Sequence, residues 1–571
     1  MTSPGTRIVA ATSTVVIPEY LNEAASSIIT KSQELLDAIK RIPGGKIIID
    51  YIRASYQNDP YRSLFEFILV AFAIRYFLKS KSSYSKKDYI KLTEKEIDEL
   101  VADWQPAPLT VPLRDDEKWQ LDSIPITKGQ ISSHTEIIDN RDNGKLKSVI
   151  NLASLNFLDL GINKEMIEAG IEQINYSGVG ACGPPNFYGT QDVHFRLEED
   201  LARFFGAEKS ILYAQDFCTA QSIIPCFLKR GDIAIVDGGV SLQLQKAVMI
   251  SRCEVFWYDH NDLESLEKTL KFVNEDFRGE PLTRRFIITE GLFENYGDSP
   301  DLKALVDLKK KYKYRLIIEE SRSLGVLGAT GRGLAEVYNI PRSDIDITVG
   351  SMALAFASSG GFCIGETPMI NYQKLQSNAY VYSAALPPYC AKVCSKALSL
   401  IENATSENGN SNKIIGRLHL KIKKFYKLLS SDKKLNECVT IVSEPESPTI
   451  HLRISKSIRE KLELPASYGG IGSNMEKFVE KGLEENYFDE EYNLENYLLQ
   501  IIIDKILKSN ILITRSKRIL HHELLPLIPE LIINVNAGIT EDEIVRCHQV
   551  ISKEIIDTLT NINLKTFDNL I

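Results

Sequence analysis

Seven short apolar segments alternate with helical patterns between residues 209 and 365, and this alternation limits the possible folds more than any other feature. The strand candidates are KSILYAQ, DIAIVDGG, CEVFWYDH, RRFIITEGL, YRLIIEES, DIDITVGSM and GGFCIG. Between them, segments such as HNDLESLEKTLKFV and DLKALVDLKKKY have the apolar spacing of amphipathic helices. Strands that alternate with helices form mostly parallel sheets with helices on both faces. The sequence therefore predicts an α/β fold with a large, parallel-rich sheet.

The length of the chain indicates more than one domain. A chain of 571 residues is too long for one hydrophobic core and is sufficient for two or three domains. Differences in composition predict five regions. They are an amphipathic, membrane-associated region at 1–60, a transmembrane helix at 61–80, a linker and N-terminal arm at 81–150, a large domain at 151–390 and a smaller α+β C-terminal domain at 391–571. In the last region, the acidic segment at 484–497 is predicted to be an exposed insertion.

The segment YRSLFEFILVAFAIRYFLKS at 61–80 is the candidate for a membrane span. Between Leu64 and Leu78 its charged residues are Glu66 and Arg75, and its length approaches the roughly 20 apolar residues that a spanning helix needs. A buried core helix is the alternative. Six lysines closely follow Leu78 and three basic residues closely precede Leu64, which predicts that the chain after Lys79 faces the cytosol.

Charge and cysteine content argue against other classes of protein. A net charge of −9 gives no basic face for nucleic acid, and we predict no nucleic-acid partner. The nine cysteines include no CxxC pair, so we predict no metal site. Several of them lie in apolar or glycine-rich stretches, as reduced thiols do, and this favours a reducing compartment.

Three further stretches point to a known family. YSGVGACGPPNFYGTQDVH is a glycine-rich loop before a helix, RLIIEESRSLGVLGATGRG brings acidic residues to the end of a strand, and TVGSMALAFASSGGFCIG runs from a strand into a glycine turn. In this order and spacing they resemble the α-oxoamine synthases, pyridoxal-phosphate enzymes that condense an amino acid with an acyl-CoA. The resemblance covers about residues 151–540. It implies an aminotransferase-like fold, with the predicted membrane helix as an N-terminal addition.

The resemblance also implies where the catalytic residues of the family would lie, and this chain departs from the family there. No lysine occurs between Lys313 and Lys374, where the family has the lysine that bears the cofactor. Without it no covalent bond to the cofactor forms, and we predict that this chain alone has no catalytic residue. An active enzyme with a displaced lysine is one alternative. The degenerate positions are Leu354 for that lysine, Glu319 for the aspartate at the pyridinium nitrogen, Arg322 for the histidine at the phenolic oxygen, Ser241 for the histidine that stacks on the ring and Ile532 for the arginine that binds the substrate carboxylate.

One subfamily has this profile, the non-catalytic subunit-1 group of the serine palmitoyltransferases, and DWQPAPL and GVLGATGRGL resemble its fungal members. The resemblance implies a role in condensing L-serine with palmitoyl-CoA to 3-ketosphinganine, the first step of sphingolipid biosynthesis, at the endoplasmic reticulum membrane. It implies a heterodimer with a catalytic subunit 2 that binds pyridoxal phosphate covalently, and further partners in a small activating subunit and Orm-type regulators. The other alternative is a membrane adaptor that uses the degenerate fold without contributing to an active site.

Some loops of this chain are candidates to contact the active site of the partner. The active sites of the family lie at a two-fold interface, where each chain lends loops to the other. For each candidate, an ordinary turn residue is an equally good interpretation. The candidates are Cys182, Tyr188, Ser241, Ser358 and Ser359.

Overall fold

The structure is a computed structural model of the chain. The residues that it describes are 45–80, 92–106, 109, 113, 115–139, 141, 144–406, 411–468, 489–519, 522–524, 527–568 and 570. Most of the predicted region 1–60 therefore lies outside the described residues. The chain divides into two units, Met1–Val111 and Pro112–Ile571.

The first unit contains helices with clear sequence signals at their ends. Its described helices are α1 at Gly45–Asn58, α2 at Pro60–Ser80 and α3 at Glu94–Asp103. Thr93 caps α3, because its hydroxyl accepts a hydrogen bond from the Glu96 backbone N–H while the Glu96 carboxylate accepts one from the Thr93 N–H at 2.7 Å. This reciprocal pair satisfies two amide groups that the helix leaves without partners.

Helix α2 occupies the segment predicted to span a membrane. Apolar side chains are exposed along it, but charged residues interrupt them, and the Arg62 Nε donates a hydrogen bond to Glu66 at 3.0 Å. In the described parts of the chain we find no helix of sufficient length and apolar character to cross a membrane. The predicted transmembrane helix at 61–80 is therefore not supported, and Arg62, Glu66 and Arg75 interrupt its apolar stretch.

The second unit is built on a seven-stranded sheet whose strands coincide with the seven predicted segments. The strands are β4 at Lys209–Tyr213, β5 at Ile233–Asp237, β6 at Glu254–Tyr258, β7 at Arg285–Glu290, β8 at Arg315–Glu319, β9 at Ile347–Ser351 and β10 at Gly361–Gly365. Their order is β4-β10-β9-β8-β7-β5-β6. Only β10 runs antiparallel to its neighbours, so the prediction of a parallel-rich sheet is confirmed.

Helices cover both faces of this sheet. Alternate residues of β5 belong to separate hydrophobic clusters, Ile233 and Ile235 to one and Ala234 and Val236 to the other. The described α-helices of the second unit that precede residue 439 are α4 at Asp115–Asp122, α5 at Lys164–Ser177, α6 at Asp192–Phe205, α7 at Phe217–Phe227, α8 at Leu242–Ser251, α9 at Leu263–Asp276, α10 at Leu302–Tyr312, α11 at Leu334–Val337, α12 at Thr367–Gln376, α13 at Asn378–Tyr382, α14 at Pro388–Asn403, α15 at Lys413–Ser431 and α16 at Lys433–Cys438.

The second unit also contains two smaller four-stranded sheets. The first has the order β1-β2-β3-β13, with β1 at Ile126–Lys128, β2 at His134–Asp139, β3 at Lys145–Asn151 and β13 at Ile511–Leu512. The second has the order β11-β12-β15-β14, with β11 at Val439–Ile441, β12 at Thr449–Ile454, β14 at Thr514–Arg515 and β15 at Glu530–Asn534. Because β13 pairs with β3, the N-terminal arm shares a sheet with the C-terminal part of the chain.

The C-terminal part also holds four more described helices, and one of them corrects a prediction. They are α17 at Lys456–Lys461, α18 at Asp489–Leu507, α19 at Glu541–Asn561 and α20 at Leu564–Phe567. The acidic segment at 484–497 was predicted to be exposed, yet in α18 Tyr492, Glu495 and Asn496 are buried. At these three positions the prediction is wrong, and Glu495 is neutralised there by an ion pair with the buried Arg459. Residues 484–488 lie outside the described residues.

Candidate functional site

Two buried glutamates meet at the carboxyl edge of the large sheet. Glu290 ends β7 and Glu319 ends β8, and the two are register partners in the parallel pair. The Glu290 carboxylate accepts hydrogen bonds from the backbone N–H groups of Ser241 at 2.6 Å and Glu294 at 2.8 Å. The Glu319 carboxylate accepts bonds from the N–H of Ser321 at 3.0 Å and from its hydroxyl. Ser241 is thus held by its backbone against an acidic pair.

Burial and mutual repulsion make this pair hard to ionise. Burial raises the pKa of Glu319, and the charge of Glu290 raises it further. Burial also raises the pKa of Glu290, with the Glu294 carboxylate adding to the effect. Burial and repulsion between the two carboxyl groups therefore both favour protonation of the pair.

Replacing Glu319 with Gln is expected to stabilise the protein at pH 8 by about 1–3 kcal/mol and to change little at pH 5. A carboxyl group with a raised folded-state pKa contributes stability below its usual pKa, and that contribution disappears as the pH rises through the folded value. An amide avoids this loss while its oxygen still accepts the Ser321 bond. Urea denaturation at the two pH values measures the difference. Glu460→Gln, at an exposed site, is the control. Equal gains in the free energy of unfolding at both pH values would contradict the raised pKa of Glu319.

Arg322 is also held by a neighbouring carboxylate. Its side chain is mostly buried, and its Nη2 lies 2.9 Å from Glu294 Oε1. A permanent cation at this place opposes the protonation of any pyridine nitrogen nearby. Arg322 is thus paired within this chain, and its assignment to the histidine position stays a prediction.

The residue at the lysine position turns out to belong to a loop between two strands. Leu354 lies between β9 and β10, where it is half-buried and contacts the main hydrophobic cluster. The loop is anchored by the Ser351 hydroxyl, which donates to Asp216 at 3.1 Å and accepts from the Ala353 N–H at 3.0 Å. Leu354 thus contributes to packing.

A cavity of about 390 Å³ lies beside the carboxyl edge of the sheet, between it and residues of β12, β14 and β15. Arg322 and Ile532 line it, as do Leu242 and Gln243, which directly follow Ser241. The structure therefore brings two of the five degenerate positions to the wall of one cleft, and Ser241 is buried next to two residues of that wall. Glu319 is buried and Leu354 is not among the residues that line the cavity, so these two are not brought to its surface.

Sequence reasoning missed a basic segment that lines the same cavity. Arg515, Lys517 and Arg518 all contribute to its wall, and they come from the run TRSKR that contains and follows β14. The only signal in the sequence was the density of basic residues in this run. Nothing local connects it with β8, which lies about two hundred residues earlier.

Ser358 and Ser359 lie in a second cavity of about 270 Å³, together with residues of α5 and α14. The Ser358 hydroxyl donates to the Cys390 carbonyl oxygen at 2.7 Å, which is a structural role within the chain. Ser241, in contrast, is buried and directly precedes Leu242 and Gln243, which line the first cleft. These candidate contacts do not share one site within this chain.

Cys182 and Tyr188 belong to an exposed loop with unusual backbone geometry. Their φ angles are 55° and 71°, in the region that disfavours side chains. The loop closes on itself, since a Cβ atom on Gly189 would collide with the Gly183 carbonyl oxygen, so glycine is required there. The Tyr188 side chain is 95% exposed in the single chain. A large aromatic group held out by a strained loop is available to another protein.

Helix α5, just before this loop, is apolar on two different faces. One face, with Met166 and Ala169, is buried and packs against α14. The other presents Ile167, Ile171 and Ile174 at helical spacing, and all three are exposed. We call these three isoleucines the α5 surface. Exposed apolar clusters of this kind mark protein interfaces.

The residues of the cleft do not fit a covalently bound pyridoxal phosphate. No lysine stands at position 354, the Glu290–Glu319 pair favours a protonated state, and Ile532 provides no positive charge. Ser241 offers no ring face and has its backbone engaged by Glu290. The roles proposed for these positions remain predictions.

Comparison with known proteins agrees with this architecture. The aminotransferase class I and II family matches residues 147–455. A protein named serine palmitoyltransferase 1 from Saccharomyces cerevisiae is 40% identical over 535 residues, which cover 91% of this chain and 93% of that protein. A protein of the same name from Dictyostelium discoideum is 34% identical over 513 residues and covers 89% and 96%.

Solved structures share the fold at low sequence identity. A serine palmitoyltransferase from S. paucimobilis with a bound PLP–myriocin aldimine has a TM-score of 0.61 at 18% identity, covering 81% of this chain and 97% of that one. An 8-amino-7-oxononanoate synthase from Francisella tularensis has a TM-score of 0.51 at 20% identity, covering 71% and 98%. The aminotransferase-like fold predicted from the sequence motifs is therefore confirmed.

Proposed function

This chain belongs to the serine palmitoyltransferase 1 family, within the class I and II aminotransferases, and we propose that it is the non-catalytic subunit of a serine palmitoyltransferase. The enzyme condenses L-serine with palmitoyl-CoA to 3-ketosphinganine, the first step of sphingolipid biosynthesis. One observation carries the proposal: the cleft of a pyridoxal-phosphate enzyme is present, but Leu354 packs into the core where the cofactor lysine would be. The cofactor is bound covalently by the partner.

The partner is a catalytic subunit 2 that covers the α5 surface. This surface and the aromatic loop around Tyr188 follow one another in the chain, and both are exposed and apolar. A heterodimer buries them and brings the loop towards the active site of the partner. A small activating subunit and Orm-type regulators complete the assembly.

The complex acts at the endoplasmic reticulum membrane, with the second unit facing the cytosol. Two features support this location. The apolar side chains of α2 are exposed and can lie on a bilayer surface, and all nine cysteines are free thiols, as in a reducing compartment. A glycosylation acceptor inserted into the segment SENGNSN should stay unmodified in cells; efficient modification would place this part of the chain in the lumen.

The chain purified without its partner is expected to condense no L-serine with palmitoyl-CoA and to retain no covalently attached cofactor. Lys517 is the lysine that lines the cleft among the described residues, so a displaced attachment would have to use it. Borohydride reduction with added pyridoxal phosphate, followed by peptide mass spectrometry, checks this residue. Addition of the catalytic subunit should produce activity in the same assay. A cofactor label on Lys517 together with activity of the single chain would favour the alternative of an active enzyme.

A further inference from the structure

The cleft carries more positive than negative charge. Four basic side chains line it, against the two carboxyl groups of Glu294 and Glu523. Glu294 is already paired with Arg322, and Glu523 accepts a hydrogen bond from Gln245 at 3.1 Å. Burial raises the pKa of Glu523, while the nearby charge of Arg518 lowers it. The basic residues are Arg322, Arg515, Lys517 and Arg518.

Arg515 illustrates the imbalance, because it is buried among neutral groups. It is only 7% exposed, and its guanidinium donates to Asn496 Oδ1 at 2.9 Å and Gln500 Oε1 at 3.3 Å. It lies 4.9 Å from the centre of the Trp119 ring. Burial lowers the pKa of Arg515 to about 10. The fold therefore places a guanidinium at the wall of the cleft and gives it neutral hydrogen-bond acceptors.

Lys517 and Arg518 add to the positive potential. Arg518 donates to Asn295 Oδ1 at 3.1 Å and to the Ile528 carbonyl oxygen at 3.4 Å, which are again neutral acceptors. The pKa of Lys517 is lowered by partial burial and then by the charge of Arg515. Cations that repel one another in a partly desolvated cleft bind an anion favourably. The anion offsets the repulsion between the cations and the cost of removing their charges from water.

The other walls of the cleft are apolar. Leu155, Phe217, Leu242 and Ile532 line it, and its volume of about 390 Å³ suits a small organic molecule. An occupant of matching chemistry has an oxyanion at one end and an apolar body at the other. Guanidinium groups bind both carboxylate and phosphate in this way.

We propose that this cleft, which no longer fits a covalently bound cofactor, binds a small organic anion through Lys517, Arg518 and Arg322. It is a ligand site on the non-catalytic subunit. The inference rests on the proposed function only in treating this chain as the non-catalytic one. The shared chemistry of the ligand is an oxyanion, either carboxylate or phosphate, joined to an apolar group.

The test uses three probes with one apolar body, namely benzoate, phenyl phosphate and uncharged benzyl alcohol. Each is titrated calorimetrically into the full-length chain and into its complex with the catalytic subunit. We expect at least one of the two anions to bind and benzyl alcohol to give no binding. Lys517→Gln with Arg518→Gln should weaken binding of the anion by about tenfold or more. Comparing benzoate with phenyl phosphate distinguishes a carboxylate site from a phosphate site.

Controls keep the result decisive. Lys508→Gln removes an exposed lysine of the same part of the chain that does not line the cleft, and it should leave the affinity unchanged. Lys517→Gln alone serves if the double variant fails to fold, since among the described residues that amine forms no hydrogen bond or ion pair. Equal affinity of wild type and variant, or no anion binding, overturns the inference. Failure of the chain to assemble with a catalytic subunit would overturn the proposed function instead, while the titration of the single chain still stands.

Discussion

Glu495→Ala is expected to lower the free energy of unfolding by about 3–5 kcal/mol, because it leaves a buried guanidinium without its counter-charge. Glu495 is fully buried, and its carboxylate pairs with Arg459, which is itself buried. The second carboxylate oxygen accepts a hydrogen bond from the Tyr468 hydroxyl at 2.5 Å. Arg459 also donates to the Pro465 carbonyl oxygen at 2.6 Å. Removing the carboxylate therefore breaks several contacts of one network.

Urea denaturation followed by circular dichroism measures the loss. Tyr468→Phe removes the hydrogen bond to Glu495 and a longer one to the Glu491 carbonyl oxygen at 3.4 Å, and it should cost about 1 kcal/mol. Lys456→Ala is the matched control, because Lys456 forms an ion pair with Glu460 at 3.8 Å in which the side chains are 91% and 67% exposed. Such exposed pairs contribute about 0–1 kcal/mol. A loss below 1 kcal/mol for Glu495→Ala would mean that the network relaxes without it.

This network also shows what composition cannot predict. The segment at 484–497 is rich in acidic residues, and acidic segments are usually exposed. Glu495 is buried because Arg459, 36 residues earlier, neutralises it. That pairing depends on the placement of α18 against α17, which contains Arg459, and no local pattern of the acidic segment encodes it.

The large sheet, in contrast, was predictable segment by segment. A strand that is covered on both faces must be apolar at nearly every position, and β5 and β7 are buried along almost their whole length. Helix starts were also readable, since Asp262 accepts bonds from the N–H groups of Glu264 and Ser265 at the start of α9. Burial and capping are local properties, so the sequence displays them directly.

In the candidate site, only the positions that the family motifs cover could be predicted from the sequence. Leu354 and Ile532 could be placed by their distance from glycine pairs and turns, but the motifs contain no information on Lys517 or Arg518. These two enter the cleft from the run beyond β14, whose strand pairs with β15. A site assembled from both ends of a chain requires the tertiary structure.

Ile171→Asp is expected to weaken the heterodimer with the catalytic subunit by about 30- to 900-fold, because a carboxylate would have to be buried at the contact for about 2–4 kcal/mol. Ile171 is 55% exposed at the centre of the α5 surface, between Ile167 and Ile174. The buried face of α5 packs tightly against α14, since a Cβ on Gly170 would lie 3.2 Å from Val393. The helix is thus fixed by the fold, and its outer face is available to a partner. Affinity between the purified subunits is the measurement.

The stability of the single chain should hardly change in this variant, because Ile171 faces solvent there, and its thermal unfolding checks this. Leu420→Asp is the matched control: Leu420 is 72% exposed on α15, away from the α5 surface, and its replacement should leave both affinity and activity unchanged. Condensing activity measured at limiting subunit concentration should fall in parallel with the affinity of the Ile171 variant and recover at high concentration. That recovery distinguishes a lost contact from a damaged active site. Full affinity of Ile171→Asp would exclude the α5 surface as the interface and favour an adaptor that meets its partner elsewhere.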